Sequence, residues 1–209
     1  MPDLVILAGV FAVFVPALML PGPDFVAVVR AAMTGGARTG ILTALGTTVG
    51  LSAYATLSMF GLSALLAQFE WLTWVVRILG GAYLVYLGIH LIRTRSEMPD
   101  VAAARVPSGR AVLVGLFVAL TNPKAIVLFA SVFATAITPR TETATMVVIV
   151  ALVAGTTFAW YALVSLFMAS APVIRRFARL RHWIERAAGV CFVALGSKLI
   201  ADSRSPLAT

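Results

Sequence analysis

The stretch Leu20-Pro21-Gly22-Pro23-Asp24 interrupts a long apolar run, with Leu4 to Leu20 before it and Phe25 to Val29 after it. Proline lacks an amide donor and clashes with the preceding turn, so these prolines and the glycine between them stop an ordinary helix. In water the stretch would be a loop. In hydrocarbon its freed carbonyl groups and the carboxyl of Asp24 are costly unless they line a cavity or lie against protein. Its meaning therefore depends on whether the chain lies in water or in a membrane.

The composition favours a membrane. Of the 209 residues 61% are hydrophobic and 11% are charged, and the mean hydropathy is +1.00. A soluble domain is about half apolar and a quarter charged. We therefore expect an all-α integral membrane protein, a single bundle of about six helices, because each span takes about 20 residues. No small-residue cleavage site closes the first apolar segment, so we expect that segment to be a retained span.

Six spans are predicted from the apolar runs and the turn signals between them. The first passes through the Pro21 to Asp24 break and ends before Gly35-Gly36. In order, the predicted bounds are Leu4 to Met33, Gly40 to Ala67, Trp71 to Ile92, Arg110 to Ile137, Thr145 to Ala171 and Trp183 to Ala201.

Arginine placement predicts how the spans are oriented. The first, third and fifth connections carry several arginines, the second carries none, and the fourth carries only Arg140. By the positive-inside rule the odd-numbered connections are cytoplasmic and both termini lie outside. The surplus of 16 Lys and Arg over 8 acids is thus read as membrane topology, and nucleic-acid binding is not expected.

A linker near the midpoint divides the single membrane domain into two similar halves. Residues 94–109 form this cytoplasmic linker, residues 1–93 form repeat one, and residues 110–209 form repeat two. The segments Gly81 to Ile92 and Gly189 to Ile200 match at a constant offset of 108, including both glycines and the closing Leu-Ile pair. Because each half has an odd number of spans, the two repeats are predicted to run in opposite directions through the bilayer.

The proline breaks also correspond between the halves. Pro23-Asp24 matches Pro123-Lys124 at an offset of 100, so the first and fourth spans are each broken at proline beside an ionisable residue. Inverted repeats with interrupted helices are typical of secondary transporters, whose substrate site lies near the bilayer midplane. The plainer alternative is that each proline only kinks a helix for packing.

Opposite charges at equivalent positions suggest a site for a zwitterion. We hypothesise that Asp24 and Lys124 share a polar cavity, with Asp24 facing an ammonium group and Lys124 a carboxylate. Asp24 is also a candidate proton carrier, since removal from water favours the neutral form of a carboxyl group. Asn122 is placed to satisfy backbone left open by Pro123. The alternative is that Asp24 and Lys124 snorkel to an interface.

Other polar and small residues favour packing over chemistry. Gly46 and Gly50 have the spacing that lets helix backbones approach closely. Tyr54, Trp160 and Tyr161 lie well inside their spans and could line a cavity, although ordinary core packing is the favoured explanation for each. The single cysteine excludes an internal disulfide. No metalloprotease, P-loop or nucleophile-elbow motif occurs, so we expect no enzyme activity, no metal and no cofactor.

Five motifs in order resemble the LysE/RhtB family of amino-acid exporters. They are the Pro21 to Asp24 break, the Gly35 to Gly40 turn, the Ala44 to Gly50 segment, the Gly81 to Gly88 segment and the Asn122-Pro123-Lys124 break. The resemblance implies a six-helix protein of a bacterial-type cytoplasmic (inner) membrane that exports amino acids by proton antiport. It also implies that function rests on Pro21, Gly22, Pro23, Asp24, Asn122, Pro123 and Lys124.

The substrate class follows from one departure from the family pattern. At the position of Leu51, directly after the glycine of the second span, many members of the family that this chain resembles carry an acidic or polar residue. The absence of such a residue here favours a neutral amino acid over a cationic one. The expected partners are therefore a small amino-acid substrate, a proton and membrane lipid. Glycines on spans 2, 3 and 6 would permit a homodimer, although they serve packing within one chain equally well. A small intramembrane enzyme or redox relay, and a channel or assembly subunit, are the alternatives.

Overall fold

The computed structural model describes residues 3–62, 68–93, 106–136, 141–167 and 171–202, and the regular elements in these ranges are all helical. A π-helical segment, Leu57–Leu62, extends the second helix, and the short 3-10 helix Ser108–Arg110 precedes the fourth. The α-helices are α1 Leu4–Met19, α2 Pro23–Thr56, α3 Glu70–Arg93, α4 Ala111–Thr121, α5 Pro123–Ala136, α6 Thr143–Phe167 and α7 Ala171–Asp202.

Several helices have the length and composition of membrane spans. In the described residues Pro23–Gly61 and Thr143–Phe167 are each long and apolar enough to cross a bilayer. Ser108–Thr121 and Pro123–Ala130, bent by 57° at the break between them, would together make a third. The all-helical, apolar architecture agrees with the predicted membrane protein. The six-span inverted repeat stays a prediction.

The first proline break lies between α1 and α2. Helix α1 ends at Met19, the backbone is extended at Leu20 and Gly22, and α2 begins at Pro23. Proline suits the first turn of a helix, where its missing N–H would have had no helical partner. The same residues that end one helix therefore start the next.

A second interruption lies inside α2, at the turn predicted from Gly35-Gly36. Gly36 has φ 79° and ψ 170°, a backbone conformation that glycine adopts far more readily than other residues. Residues 23–35 and 37–56 thus form two helical arms, which pack against each other on either side of the turn. A Cβ on Gly40 would lie 2.8 Å from the Cβ of Ala32 on the first arm and 2.8 Å from Ser165 on α6.

Small residues bring α2 and α4 into backbone contact. A Cβ on Gly46 would collide with the carbonyl oxygen of Val112, and a Cβ on Gly115 would collide with that of Thr43. At Gly50 a Cβ would lie 2.6 Å from the Cβ of Ala119. The packing role predicted for Gly46 and Gly50 is confirmed.

Helices α3 and α7 pack antiparallel through four glycines. A Cβ on Gly88 would lie 2.5 Å from the carbonyl oxygen of Gly189, and one on Gly189 would lie 2.7 Å from that of Gly88. Further along, a Cβ on Gly196 would meet the carbonyl oxygen of Gly81. The contacts pair increasing residue numbers on α3 with decreasing residue numbers on α7, so the two helices are antiparallel here.

One predicted boundary is wrong. The sequence predicts a helix beginning at Trp183, but α7 already begins at Ala171. The arginine-rich segment before Trp183 is therefore helical. Arginine is a good helix former, and Pro172 lies in the first turn, where proline is tolerated, so the loss of apolar character did not mark a helix end. The predicted end of the fifth span at Ala171 follows residues 168–170, which lie outside the described residues.

Some predicted features lie outside the described residues. These are positions 63–67 at the end of span 2, 94–105 of the linker, 137–140 after span 4 and 168–170 after α6. The described end of the linker packs on the first repeat, since Val106 is buried with Ala31, and Ser108 hydrogen-bonds Thr39 at 2.8 Å between their hydroxyl oxygens. The division into two repeats stays a prediction.

Candidate functional site at the two helix breaks

The two proline breaks lie against each other. The side-chain amide Nδ2 of Asn122 donates a hydrogen bond to Oδ2 of Asp24 at 2.6 Å. In the opposite direction, Nζ of Lys124 donates to the carbonyl oxygens of Ala17 at 3.0 Å and Leu20 at 3.3 Å. Each break thus supplies a polar group to the other, although they are about 100 residues apart in the chain.

Lys124 binds carbonyl groups that the first break leaves without helical partners. In a continuous helix the carbonyl of Ala17 would accept from the N–H of residue 21, and that of Leu20 from residue 24. Residue 21 is a proline with no N–H, and the chain has left the helical path before residue 24. The ammonium group of Lys124 therefore replaces two missing backbone donors.

The second break is satisfied differently. Asn122 precedes the first residue of α5, and its Oδ1 accepts a hydrogen bond from the backbone N–H of Lys124 at 3.0 Å, which is an N-cap. The carbonyl of Leu120, which would otherwise accept that N–H, accepts the hydroxyl of Tyr54 on α2 instead. Asn122 therefore caps its own helix with one side-chain atom and contacts Asp24 with the other.

A small cavity lies where the breaks meet. Its volume is about 10 Å³, which is about the room that one water molecule needs. Asp24, Lys124 and Tyr161 contribute polar groups to its wall. The apolar wall is formed by Phe14, Ala17, Leu18, Leu51, Ala125 and Leu128. The cavity therefore has no room for a free amino acid in this conformation.

Asp24 keeps one oxygen unused. The residue is only 3% exposed, and among the described residues its Oδ1 has no hydrogen-bond partner. A buried carboxyl oxygen without a donor is unfavourable, because its hydrogen bonds to water have been lost and no protein donor replaces them. Asp24 is therefore placed to accept a hydrogen bond from a group that enters the cavity.

The predicted site residues occupy one place in the fold. Asp24, Asn122 and Lys124 are in contact directly or across the cavity, and a Cβ on Gly22 would lie 3.0 Å from Nζ of Lys124. The prolines, Pro21, Pro23 and Pro123, shape the two breaks. Asp24 and Lys124 therefore do not lie at two separate solvated interfaces in this structure.

Three further residues at the site were not among the predicted site residues. Tyr161, 1% exposed, and Leu51 line the cavity beside Asp24, while Tyr54 holds the second break. A tyrosine hydroxyl within an apolar span is the only sequence signal for Tyr54 and Tyr161, and it is equally common in ordinary packing. The described residues contain no group of three or more His, Cys, Asp or Glu side chains able to hold a metal ion.

Comparisons with known proteins agree on one family. The family model described as LysE type translocator matches residues 15–203. A threonine efflux protein of Salmonella typhi is 34% identical over 193 residues, covering 90% of this chain and 94% of the relative. That of Escherichia coli K12 is 33% identical over 204 residues, covering 94% and 98%. A leucine efflux protein of Salmonella choleraesuis is 32% identical over 124 residues, or 58% of each chain. No solved structure matches.

Proposed function

Because this chain belongs to the family of LysE-type translocators, we propose that it exports small neutral amino acids from the cytoplasm in exchange for protons. Membership makes the chain a membrane transporter of the amino-acid efflux type and not an enzyme. The identity of the amino acid and the coupling to protons are our proposal. The observation that carries it is the pair of opposite charges, Asp24 and Lys124, on one small cavity between two broken helices.

The charges of the cavity fit a zwitterion. An amino acid presents an ammonium group and a carboxylate a short distance apart, and Asp24 and Lys124 supply one charge of each sign. An isolated charge at membrane depth is costly, so a substrate with balanced charges is matched by a site with balanced charges. Asn122 supports Asp24 by holding Oδ2, which leaves Oδ1 for the substrate.

The rest of the cavity favours a neutral side chain. Its remaining wall is apolar apart from Tyr161, and Leu51 lies close to the charged residues. A cationic side chain would need a further acid, and among the described residues Asp24 is the only acid that lines the cavity. Threonine and leucine, which name the efflux activity of the relatives, are both neutral amino acids.

Proton exchange is assigned to Asp24. While the carboxyl is ionised it binds the substrate's ammonium group, and a proton taken up from the outside removes that attraction and releases the substrate outward. The site then opens to the cytoplasmic side, where the protonated carboxyl gives up its proton. The same carboxyl group thus binds the substrate's ammonium group or a proton, but not both.

Alternating access is proposed to come from two inverted repeats that rock around the breaks. The glycine contacts between α3 and α7 support this. Gly81 and Gly88 correspond to Gly189 and Gly196 of the other repeat. Gly81 packs against Gly196 and Gly88 against Gly189, as a two-fold axis between the repeats requires. The proposed orientation has both termini outside the inner membrane, and its requirement that the N-terminus and the fourth connection share one side is supported by the backbone N–H of Asp3, which donates to Thr145 at 3.3 Å. That contact sets the start of α1 beside the start of α6. A homodimer stays a prediction.

The test is counterflow in proteoliposomes. Vesicles loaded with unlabelled threonine or leucine should take up the labelled amino acid with saturation, and an opposing pH gradient should drive net flux. Lysine should exchange much more slowly. Asp3→Asn is a matched control for variants of Asp24, because asparagine also caps a helix N-terminus. Flux without saturation, or exchange that prefers lysine, would contradict the proposal.

A further inference from the structure

We propose that the carbonyl oxygens of Ala17 and Leu20, together with Oδ1 of Asp24, form the ammonium subsite, and that Lys124 occupies it when no substrate is bound. The inference rests on the proposed export of amino acids. It adds that the ammonium group of Lys124 is an internal stand-in for the ammonium group of the substrate. In this conformation the side chain of Lys124 lies where the amino group of the transported molecule is to bind.

The hydrogen bonds already describe an ammonium site. An ammonium group has three donors and no acceptor, and Nζ of Lys124 uses two of them on Ala17 and Leu20, at 3.0 and 3.3 Å. Both carbonyls are free only because the helix breaks at Pro21 to Pro23. The unpartnered Oδ1 of Asp24 faces the same cavity and is a third acceptor of the right kind.

The backbone around the subsite has no side chain in the way. Gly22 is extended, with φ −127° and ψ −171°, so the backbone there does not itself demand glycine. A Cβ would lie 3.0 Å from Nζ of Lys124, closer than an ordinary van der Waals contact. Glycine at this position therefore leaves room for an ammonium group.

The small volume of the cavity requires exchange and not simple addition. Room for about one water cannot hold an amino acid, so the substrate's ammonium enters only as that of Lys124 leaves. The displaced Lys124 is then free to face the carboxylate. One cation replaces another, so the buried carboxyl of Asp24 keeps a positive charge beside it for as long as it is ionised, since an unpaired buried charge would be strongly unfavourable.

The account predicts that removing the stand-in opens the subsite to a plain amine. The probe is 1-aminopropan-2-ol, which is threonine without its carboxyl group, and its binding is measured on purified protein in detergent. The wild type should bind it weakly, because Lys124 holds the subsite and no carboxylate compensates for displacing it. Lys124→Met should bind it about tenfold to a hundredfold more tightly, the value of one charge-assisted hydrogen bond or more.

Matched controls separate this effect from a general change in the protein. Lys198 is the other lysine of the chain and is exposed on α7, so Lys198→Met should bind the amine as weakly as the wild type. The N-acetylated probe, which has no ammonium group, should gain nothing from Lys124→Met. Adding Gly22→Ala to Lys124→Met should weaken amine binding again, since the new methyl group narrows the subsite.

A second variant, Lys124→Gln, provides the test if Lys124→Met folds poorly. Lys124→Gln is neutral but keeps a donor for one of the carbonyls, and it should gain amine affinity in the same direction by a smaller factor. If Lys124→Met does not accumulate, Lys124→Gln carries the test, and an amine affinity equal to that of the wild type in this variant would overturn the inference.

The outcomes distinguish this inference from the proposed function. If the wild type exchanges threonine but neither Lys124 variant gains amine binding, the stand-in role is wrong and the export function remains. If Lys124→Met gains amine binding while the wild type exchanges no amino acid, the subsite is correct and the proposed export is wrong.

Discussion

The two helix breaks have related sequences, but they solve the loss of backbone hydrogen bonds in opposite ways. The second break is capped by its own Asn122 at the start of α5, and Tyr54 of α2 binds the carbonyl of Leu120. The first break has no side-chain cap at Gly22, and the carbonyls of Ala17 and Leu20 depend on Lys124 from the other half of the chain. A long side chain is more easily displaced than a cap, so we propose that a ligand enters at the first break.

The comparison assigns different tasks to the two breaks. The first presents acceptors, namely two carbonyl groups and the carboxyl of Asp24, and so suits a cation. The second presents donors, through the amide of Asn122 and the ammonium of Lys124. A molecule with both an amine and a carboxylate is what such a pair recognises together and neither recognises alone.

The largest expected effect comes from neutralising the first break. Asp24→Asn keeps the size of the side chain but removes both the charge that holds the substrate's ammonium and the proton carrier. Threonine exchange in proteoliposomes should fall at least about a hundredfold, in the range of a buried charge left without its partner. Asp3→Asn should exchange normally. Near-normal exchange by Asp24→Asn would remove Asp24 from the site.

A smaller loss is expected when the link between the breaks is cut. Asn122→Ala removes the hydrogen bond to Asp24 and the cap of α5, so unfolding should become easier by about 1–3 kcal/mol and exchange should fall about tenfold. Asn122→Ser retains a capping side chain that is too short to reach Asp24 in the same way. It should recover stability but not exchange, and recovery of both would show that only the cap matters.

The local features of both breaks, and the position of Asp24 and Lys124 on one cavity, could be predicted from the sequence, while the hydrogen bonds that join the breaks could not. Proline, glycine and apolar runs act through their immediate neighbours, which is why the breaks, the turn at Gly36 and the contact at Gly46 agree with expectation. The contact of Lys124 with the carbonyls of Ala17 and Leu20 depends on how distant helices pack. Composition also misplaced the start of α7, because arginine ends an apolar run without ending a helix.

The smallest effect is expected at the second break. Tyr54→Phe removes the hydroxyl that binds Leu120 and should lower the free energy of unfolding by about 1 kcal/mol, a typical value for one hydrogen bond. Thermal unfolding in detergent measures the change, and Tyr86→Phe, at an exposed position on α3, serves as the control. Exchange should drop only two- to threefold, or about 0.4–0.7 kcal/mol. A loss as large as that of Asp24→Asn would mean that the two breaks are not specialised.

A structure determined with saturating threonine tests the central claim most directly. The account predicts the amino group within about 3 Å of the carbonyl oxygens of Ala17 and Leu20, the carboxylate against Lys124, and the Lys124 ammonium displaced from its present position. Threonine bound away from both breaks, with Lys124 still hydrogen-bonded to Ala17 and Leu20, would contradict it.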